Sequence, residues 1–120
     1  MYILRAILLF GWIAVVYVTV VATSAQGIPA ATNIFSSDMA DLGWRAQFNT
    51  DLLLHMLLAG LWVAWRQKFS ITGIILGLIC CFSGSLFTYA YLLGLSVYHR
   101  GDMKKLALGK HIEELAASNN

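Results

Sequence analysis

Long runs of apolar residues constrain this sequence more than any other feature. Residues 70–98 contain no Asp, Glu, Lys or Arg, and residues 3–24 contain only Arg5. At 1.5 Å per residue, about 20 apolar helical residues cross the ~30 Å hydrocarbon core of a bilayer. Only 12% of the residues are charged, whereas soluble domains contain about a quarter. The sequence therefore predicts one all-α domain of an integral membrane protein.

We predict three transmembrane helices, at about residues 3–24, 48–66 and 70–98. The first run is longer than the 7–15 apolar residues of a typical signal peptide, so we interpret it as a true span. The third run is too short for two spans, which need about 40 residues and a turn. Because it is long for one span, we expect tilt or protrusion beyond the bilayer.

The polar connection at residues 25–47 separates the first two spans. Gly27 and Pro29 should end the first helix, since proline lacks a backbone donor and fixes φ. A short interfacial helix is predicted after them and should end at Gly43. Its N-cap candidates are Ser36, Ser37 and Asp38.

The C-terminal tail has a different character from the spans. Residues 102–117 are predicted to form an amphipathic helix capped by Asp102, with Leu108, Ile112 and Leu115 on one face. This pattern is typical of a helix that lies in the membrane interface, and a partner-binding helix has the same pattern. The orientation stays open. Three spans place Arg45, Arg100, Lys104, Lys105 and Lys110 on one side and Arg5, Arg66 and Lys68 on the other. The five basic residues that include Arg45 favour their side as cytoplasmic. The first helix often dominates the orientation, and its Arg5 favours the opposite side as cytoplasmic.

Asp51 and His55 are the most unusual residues of the second span. They lie one helical turn apart on a stripe that includes Trp44, Phe48 and Trp62. An aspartate inside a span costs about 2.5–3.5 kcal/mol on insertion scales, so such residues usually face a bundle or a water-filled cavity. We weigh three roles: a polar contact that fixes helix packing, a cofactor site, and a proton or ion path that uses Asp51.

In the cofactor interpretation, His55 is the ligand of haem iron or of the magnesium in a chlorophyll-type pigment, and Asp51 orients its ring. A flat lipophilic ligand such as a quinone is a further possibility for the tyrosine-rich third run. The identity of any cofactor stays open. The packing role is the leading interpretation, because a single transmembrane histidine is a weak signal for a ligand.

Small residues predict where helices approach each other closely. Gly73 and Gly77 form a small-xxx-small motif, and Gly84 and Thr88 continue the same line. Interface anchors are expected at the ends of the second span, where aromatic and basic residues meet headgroups: Trp44, Trp62, Trp65, Arg66 and Lys68. The adjacent Cys80 and Cys81 are interpreted as packing residues.

The sequence contains no motif of a conventional active site. It has no phosphate-binding glycine loop, nucleophile elbow or zinc-protease motif. We therefore predict a non-enzymatic membrane protein, an accessory or scaffold subunit that packs against other membrane helices or against itself. The alternatives are a binding protein for a cofactor or lipophilic ligand through His55, and an oligomeric small transporter or channel that uses Asp51.

Two resemblances accompany these patterns. The segments "DLGW" at 41–44 and "WVAWR" at 62–66, with Asp51 between them, resemble a family of small bacterial membrane proteins known only as a domain of unknown function. This resemblance implies a helical membrane fold in the bacterial cytoplasmic membrane and assigns no activity. The segment "HMLLAGLWVAWR", which begins at His55, is similar to light-harvesting polypeptides, in which a histidine precedes a tryptophan-rich helix end.

Overall fold

The computed structural model describes residues 1–118, and within this range the chain is all-α, without strands. The first four helices are α1 at Tyr2–Gln26, α2 at Ile28–Ala40, α3 at Trp44–Arg66 and α4 at Ile71–Ser83. The rest of the described chain forms α5 at Ser85–Tyr98, α6 at Met103–Leu108, a 3-10 turn at Gly109–His111, and α7 at Ile112–Ser118.

Helices α1 and α3 are the two helices in the described part that are long and apolar enough to cross a membrane. At 1.5 Å per residue, they are about 37 and 34 Å long. Only 6% of the most apolar window of α1 is buried inside the protein, and 17% of that of α3. Because the apolar surface of both helices is mostly exposed, they differ from the core helices of a soluble domain, which are mostly buried.

The connection between α1 and α3 is more helical than the sequence predicts. Gly27 has a φ of +79° and ends α1, and Pro29 lies in the first turn of α2. Proline is favoured in that turn because its missing N–H would have no helical partner there. As a result, α2 begins at Ile28, well before the predicted N-caps at Ser36, Ser37 and Asp38.

The third apolar run differs most from its prediction. Instead of one helix over 70–98, the run forms α4 and α5, which are separated by Gly84 with a φ of +61° and a ψ of −137°. Glycine adopts such a conformation without the steric cost of a Cβ atom. The Gly84 backbone approaches the side chain of Met56, in the middle of α3. The end of α4 therefore reaches only about half-way along α3.

Two antiparallel helix pairs show that α5 folds back beside α4. Along α4, Gly73 lies against Ala64 of α3, and Gly77 lies against Gly60. Along α5, the Trp12 indole of α1 donates to the Leu86 carbonyl (3.0 Å), and Arg5 donates to the Ser96 carbonyl (2.8 Å). The start of α1, the end of α3, the start of α4 and the end of α5 therefore lie together.

The chain thus has two different ends. We call the first the basic end, because it contains every Lys and Arg except one: Arg5, Arg66, Lys68, Arg100, Lys104, Lys105 and Lys110. The other, the outer end, contains α2 and the α2–α3 turn, where Arg45 lies 3.5 Å from Asp38. The α4–α5 hairpin begins and ends at the basic end.

The tail packs on the basic end in two short helices instead of one. Asp102 caps α6, since its side chain accepts from the backbone N–H groups of Lys104 (3.0 Å) and Lys105 (3.3 Å). Gly109, with a φ of +56°, lies against the Arg66 backbone and ends α6. Leu106 is the buried side chain of α6. The predicted apolar face at Leu108, Ile112 and Leu115 is only partly covered.

Candidate functional site

The predicted pair on α3 forms an outward-facing polar patch. The His55 Nδ1 atom lies 3.4 Å from the Asp51 carboxylate and 2.9 Å from the Asp51 carbonyl oxygen. The side chains are 73% and 61% exposed, respectively. The pair therefore forms as the spacing predicts, but the expectation that it faces the interior of a bundle is wrong within this chain.

The surroundings of this patch are apolar. Exposed leucines flank it on α3, at Leu52, Leu54 and Leu58. His55 lies eleven residues from Arg66, which corresponds to about 16 Å along the helix axis. His55 is therefore at the middle of α3, and Asp51 lies one turn nearer the outer end, after the mostly polar residues 45–50. An outward ionisable pair at that depth needs either another protein surface or water beside it.

Small residues line the contact between α3 and α4. A Cβ atom added to Gly77 would lie 2.7 Å from the Gly60 carbonyl oxygen, and one added to Gly73 would lie 3.1 Å from the Ala64 carbonyl oxygen. Gly60 and Ala64 were missed by the sequence analysis, although they are spaced four residues apart on α3. Gly84 and Thr88 lie at the break, where the Thr88 hydroxyl is 3.1 Å from Cys80 Sγ.

Among the predicted interface anchors, Arg66 is the residue whose position differs most from its prediction. Its side chain is only 2% exposed and joins α3 to α5 and α6. The guanidinium donates to the carbonyls of Lys105 and Leu106 and to the Tyr91 hydroxyl, and one nitrogen lies 3.0 Å from His99 Nε2. Arg66 is therefore a buried link inside the basic end, not a surface anchor.

The other predicted anchors lie at the surface or against the tail. At the outer end, Trp44 is exposed. At the basic end, the Trp62 indole donates to the Ala107 carbonyl (3.2 Å), and Trp65 stacks on His111 with a ring separation of 4.1 Å. Lys68 forms an ion pair with Glu114 of α7. Three of these residues hold the tail against the end of α3.

The electrostatics of the basic end are shaped by charges that face His99. Burial lowers the pKa of the His99 imidazole, and the positive charges of Arg66 and Lys105 lower it further, against a smaller opposite effect of Asp102. The imidazole is therefore neutral near pH 7. A guanidinium has only donors, so His99 Nε2 accepts from Arg66 and the ring proton is on Nδ1.

Open cavities lie at both ends of the chain. At the basic end, a cavity of about 490 Å³ is lined by Tyr98, His99, Arg100 and Lys105. At the outer end, a groove of about 560 Å³ runs between α1, α2 and the start of α3, where the α4–α5 hairpin does not reach. Within residues 1–118, no group of three or more His, Cys, Asp and Glu side chains could hold a metal ion.

No family model, curated protein or solved structure matches this chain.

Proposed function

We propose that this chain is a small integral membrane protein in which α1 and α3 span the bilayer and α4–α5 forms a re-entrant hairpin. The mostly exposed apolar surfaces of α1 and α3 support this arrangement, since lipid would cover them. The α4–α5 backbone turns at Gly84, beside the middle of α3. A turn at that depth is tolerated where it packs against protein. The sequence-based alternative is a third full span over 70–98.

The re-entrant arrangement also gives the orientation that the three-span interpretation leaves open. The N-terminus and the tail up to Ser118 then lie on the side of the basic end, and α2 lies on the other side. Because basic residues near the ends of spans favour the cytoplasm, we place the basic end there and the outer end, with its lone Arg45, outside. The resemblance to bacterial membrane proteins favours the cytoplasmic membrane of a bacterium.

Within that membrane, we propose a non-enzymatic role as an accessory or scaffold subunit that binds other membrane helices through the outward face of α3. The observation that carries this proposal is the Asp51–His55 patch, which is exposed among leucines and extends from the middle of α3 one turn towards the outer end. An aspartate at the centre of a spanning helix costs about 2.5–3.5 kcal/mol on insertion scales, and Asp51 lies one turn from the centre of α3. A neighbouring helix with polar groups would offset that cost by hydrogen bonding.

Blue-native electrophoresis in a mild detergent, with mass spectrometry of the excised band, tests this role. We expect the tagged chain to migrate as an assembly with copies of itself or with partner subunits. The variant Asp51→Leu/His55→Leu should migrate as a monomer. Asp41→Leu removes an acid at the outer end and serves as the control, which should leave the assembly intact. A wild-type chain that is monomeric, with no co-purifying protein, would contradict the proposal.

One observation favours ligand binding as a second candidate. His55 Nδ1 contacts Asp51, so the Nε2 atom is free to bind an axial site on haem or on a chlorophyll-type pigment. A carboxylate beside the other ring nitrogen is the usual support of a ligating histidine. This candidate predicts a visible absorption band in protein purified from a host that makes haem and pigment, and loss of that band in His55→Ala. A colourless wild-type protein would exclude it.

A further inference from the structure

We propose that the basic end binds the phosphate group of an anionic phospholipid, in the cavity lined by Tyr98, His99, Arg100 and Lys105. We call this cavity the headgroup cleft. The proposal goes beyond the scaffold role and uses residues at the opposite end of the hairpin from the Asp51–His55 patch. It rests on the membrane location of the chain, because that location places the cleft at the level of the lipid headgroups.

The first argument is the charge of the cleft. Its lining contains Arg100 and Lys105 and no carboxylate. Immediately behind it lies the buried Arg66, whose hydrogen-bond acceptors are two carbonyls, a phenol and a neutral imidazole. Within residues 1–118, no carboxylate lies within ion-pair distance of Arg66. No ion pair of the described chain therefore neutralises this buried charge directly, and an anion in the cleft would add to its compensation.

The acidic residues of the basic end lie outside the lining of the headgroup cleft. Asp102 accepts from backbone N–H groups of α6. Glu114 pairs with Lys68 and lies 3.5 Å from His111. Glu113 lines a neighbouring cavity of about 380 Å³, which Arg66 also lines and which shares Tyr98 and His99 with the headgroup cleft. Among the lining side chains, an anion in the headgroup cleft would thus meet two cations and two neutral donors, with the Asp102 charge, which acts on His99, outside the lining.

The second argument is the set of donors that the cleft presents. Since His99 Nε2 accepts from Arg66, the Nδ1–H group of His99 is available to a ligand. The Arg100 guanidinium offers a planar pair of N–H donors, the geometry that suits two phosphate oxygens. The Lys105 ammonium and the Tyr98 hydroxyl add further donors at the rim. This combination fits the phosphate diester of a lipid.

The position of the cleft favours a lipid over a soluble phosphate. It lies at the end of α5, where Val97 and Tyr98 are 62% and 79% exposed. Acyl chains attached to a bound headgroup would lie against these two side chains and the exposed Gly94 and Ala90 that follow them along α5. Basic pockets beside membrane helices on the cytoplasmic side are typical sites for anionic headgroups.

Calorimetric titration of the full chain in dodecyl maltoside tests the proposal with three probes: dihexanoyl-phosphatidylglycerol, dihexanoyl-phosphatidylcholine and inorganic phosphate. We expect phosphatidylglycerol to bind at least about tenfold more tightly than phosphatidylcholine, as charge-assisted contacts to the anion predict. Arg100→Gln/Lys105→Gln should lose that preference. Arg45→Gln changes the net charge at the outer end and should retain it.

Arg100→Gly is a second variant, and we expect it to fold as the wild type does. Arg100 has a φ of +52°, a conformation that glycine adopts without strain. This variant should keep or raise the melting temperature while it weakens the binding of phosphatidylglycerol by about tenfold. Equal affinity for the two lipids, or an equal loss in Arg45→Gln, would overturn the proposal. Binding of inorganic phosphate as tightly as phosphatidylglycerol would overturn the assignment to lipid.

Discussion

At the scale of single residues, two glycines offer a matched test of the α3–α4 contact. In Gly77→Ala, the new methyl group would meet the Gly60 carbonyl, so overpacking should lower the free energy of unfolding by about 1–3 kcal/mol. Gly94 has open space around it on α5, so Gly94→Ala should raise that free energy by about 0.5–1 kcal/mol. Unfolding in detergent, followed by circular dichroism, measures both. Stabilisation by Gly77→Ala would mean that the helices do not approach this closely.

His99 gives the basic end a defined pH dependence. Burial, Arg66 and Lys105 lower the pKa of its imidazole in the folded chain, so between that pKa and the ordinary value of about 6.5 the unfolded chain binds more protons. Stability should therefore fall as the pH decreases through that window and level off below it. Melting temperatures from pH 8 to pH 5 should decrease less in His99→Gln, which does not titrate. Parallel profiles for wild type and variant would contradict this.

Asp51, His55 and Arg66 show which features of single residues the sequence pattern could predict and which it could not. The spacing of Asp51 and His55 gives their contact, because residues one turn apart are neighbours on any helix. Their direction depends on where α4 and α2 pack against α3, which no local pattern contains. Arg66 is a similar case. A basic residue after two tryptophans is typical of an interface anchor, and its burial arises only because the tail and α5 return to the end of α3.

At the scale of elements, Arg66 holds α6 against the bundle. Arg66→Met would leave the carbonyls of Lys105 and Leu106 without their donor, and each unsatisfied group costs about 1–3 kcal/mol. Trypsin should then cleave at Lys104, Lys105 and Lys110 at least about tenfold faster, since local opening becomes more populated.

Arg66→Lys should restore little of this protection, because an ammonium lacks the planar fork that reaches several acceptors. Arg45→Met at the outer end is the control and should be cleaved in the tail at the wild-type rate. Cleavage in Arg66→Met at that same rate would mean that other contacts, such as those of His111 and Lys68, hold the tail without Arg66.

The helical elements were largely predictable, whereas their interruptions were not. Apolar periodicity and composition give α1 and α3, and the cap at Asp102 is a local signal that the structure confirms. Gly84 has two equally valid interpretations in the sequence, a small packing residue and a break. Its actual φ is selected by contacts distant in sequence, with Met56 near the turn and Arg66 contacting Tyr91 and His99. The length of the apolar run at 70–98 therefore predicted one helix, whereas the structure has two.

At the scale of the whole molecule, the fold-back at Gly84 would determine, in the membrane arrangement that we propose, which charges share a side of the bilayer. With three spans, Arg5, Arg66 and Lys68 oppose the basic residues of the tail, and the positive-inside rule gives conflicting answers. With a re-entrant hairpin, all of these residues are at one end, and only Arg45 is at the other. A single local conformation thus changes the net charge difference between the two membrane faces.

Reporter fusions in a bacterial host separate the two arrangements. Green fluorescent protein, which fluoresces in the cytoplasm, is fused after Lys68, before the hairpin, and in a second variant after residue 120. The re-entrant arrangement predicts fluorescence from both fusions, because the hairpin returns the chain to the side it left. Three spans predict fluorescence from only one of them. Alkaline phosphatase fused after Ala31, in α2, should be active as the external control. Since the comparison depends only on residues 69–120, it tests the hairpin even if the whole chain has the opposite orientation.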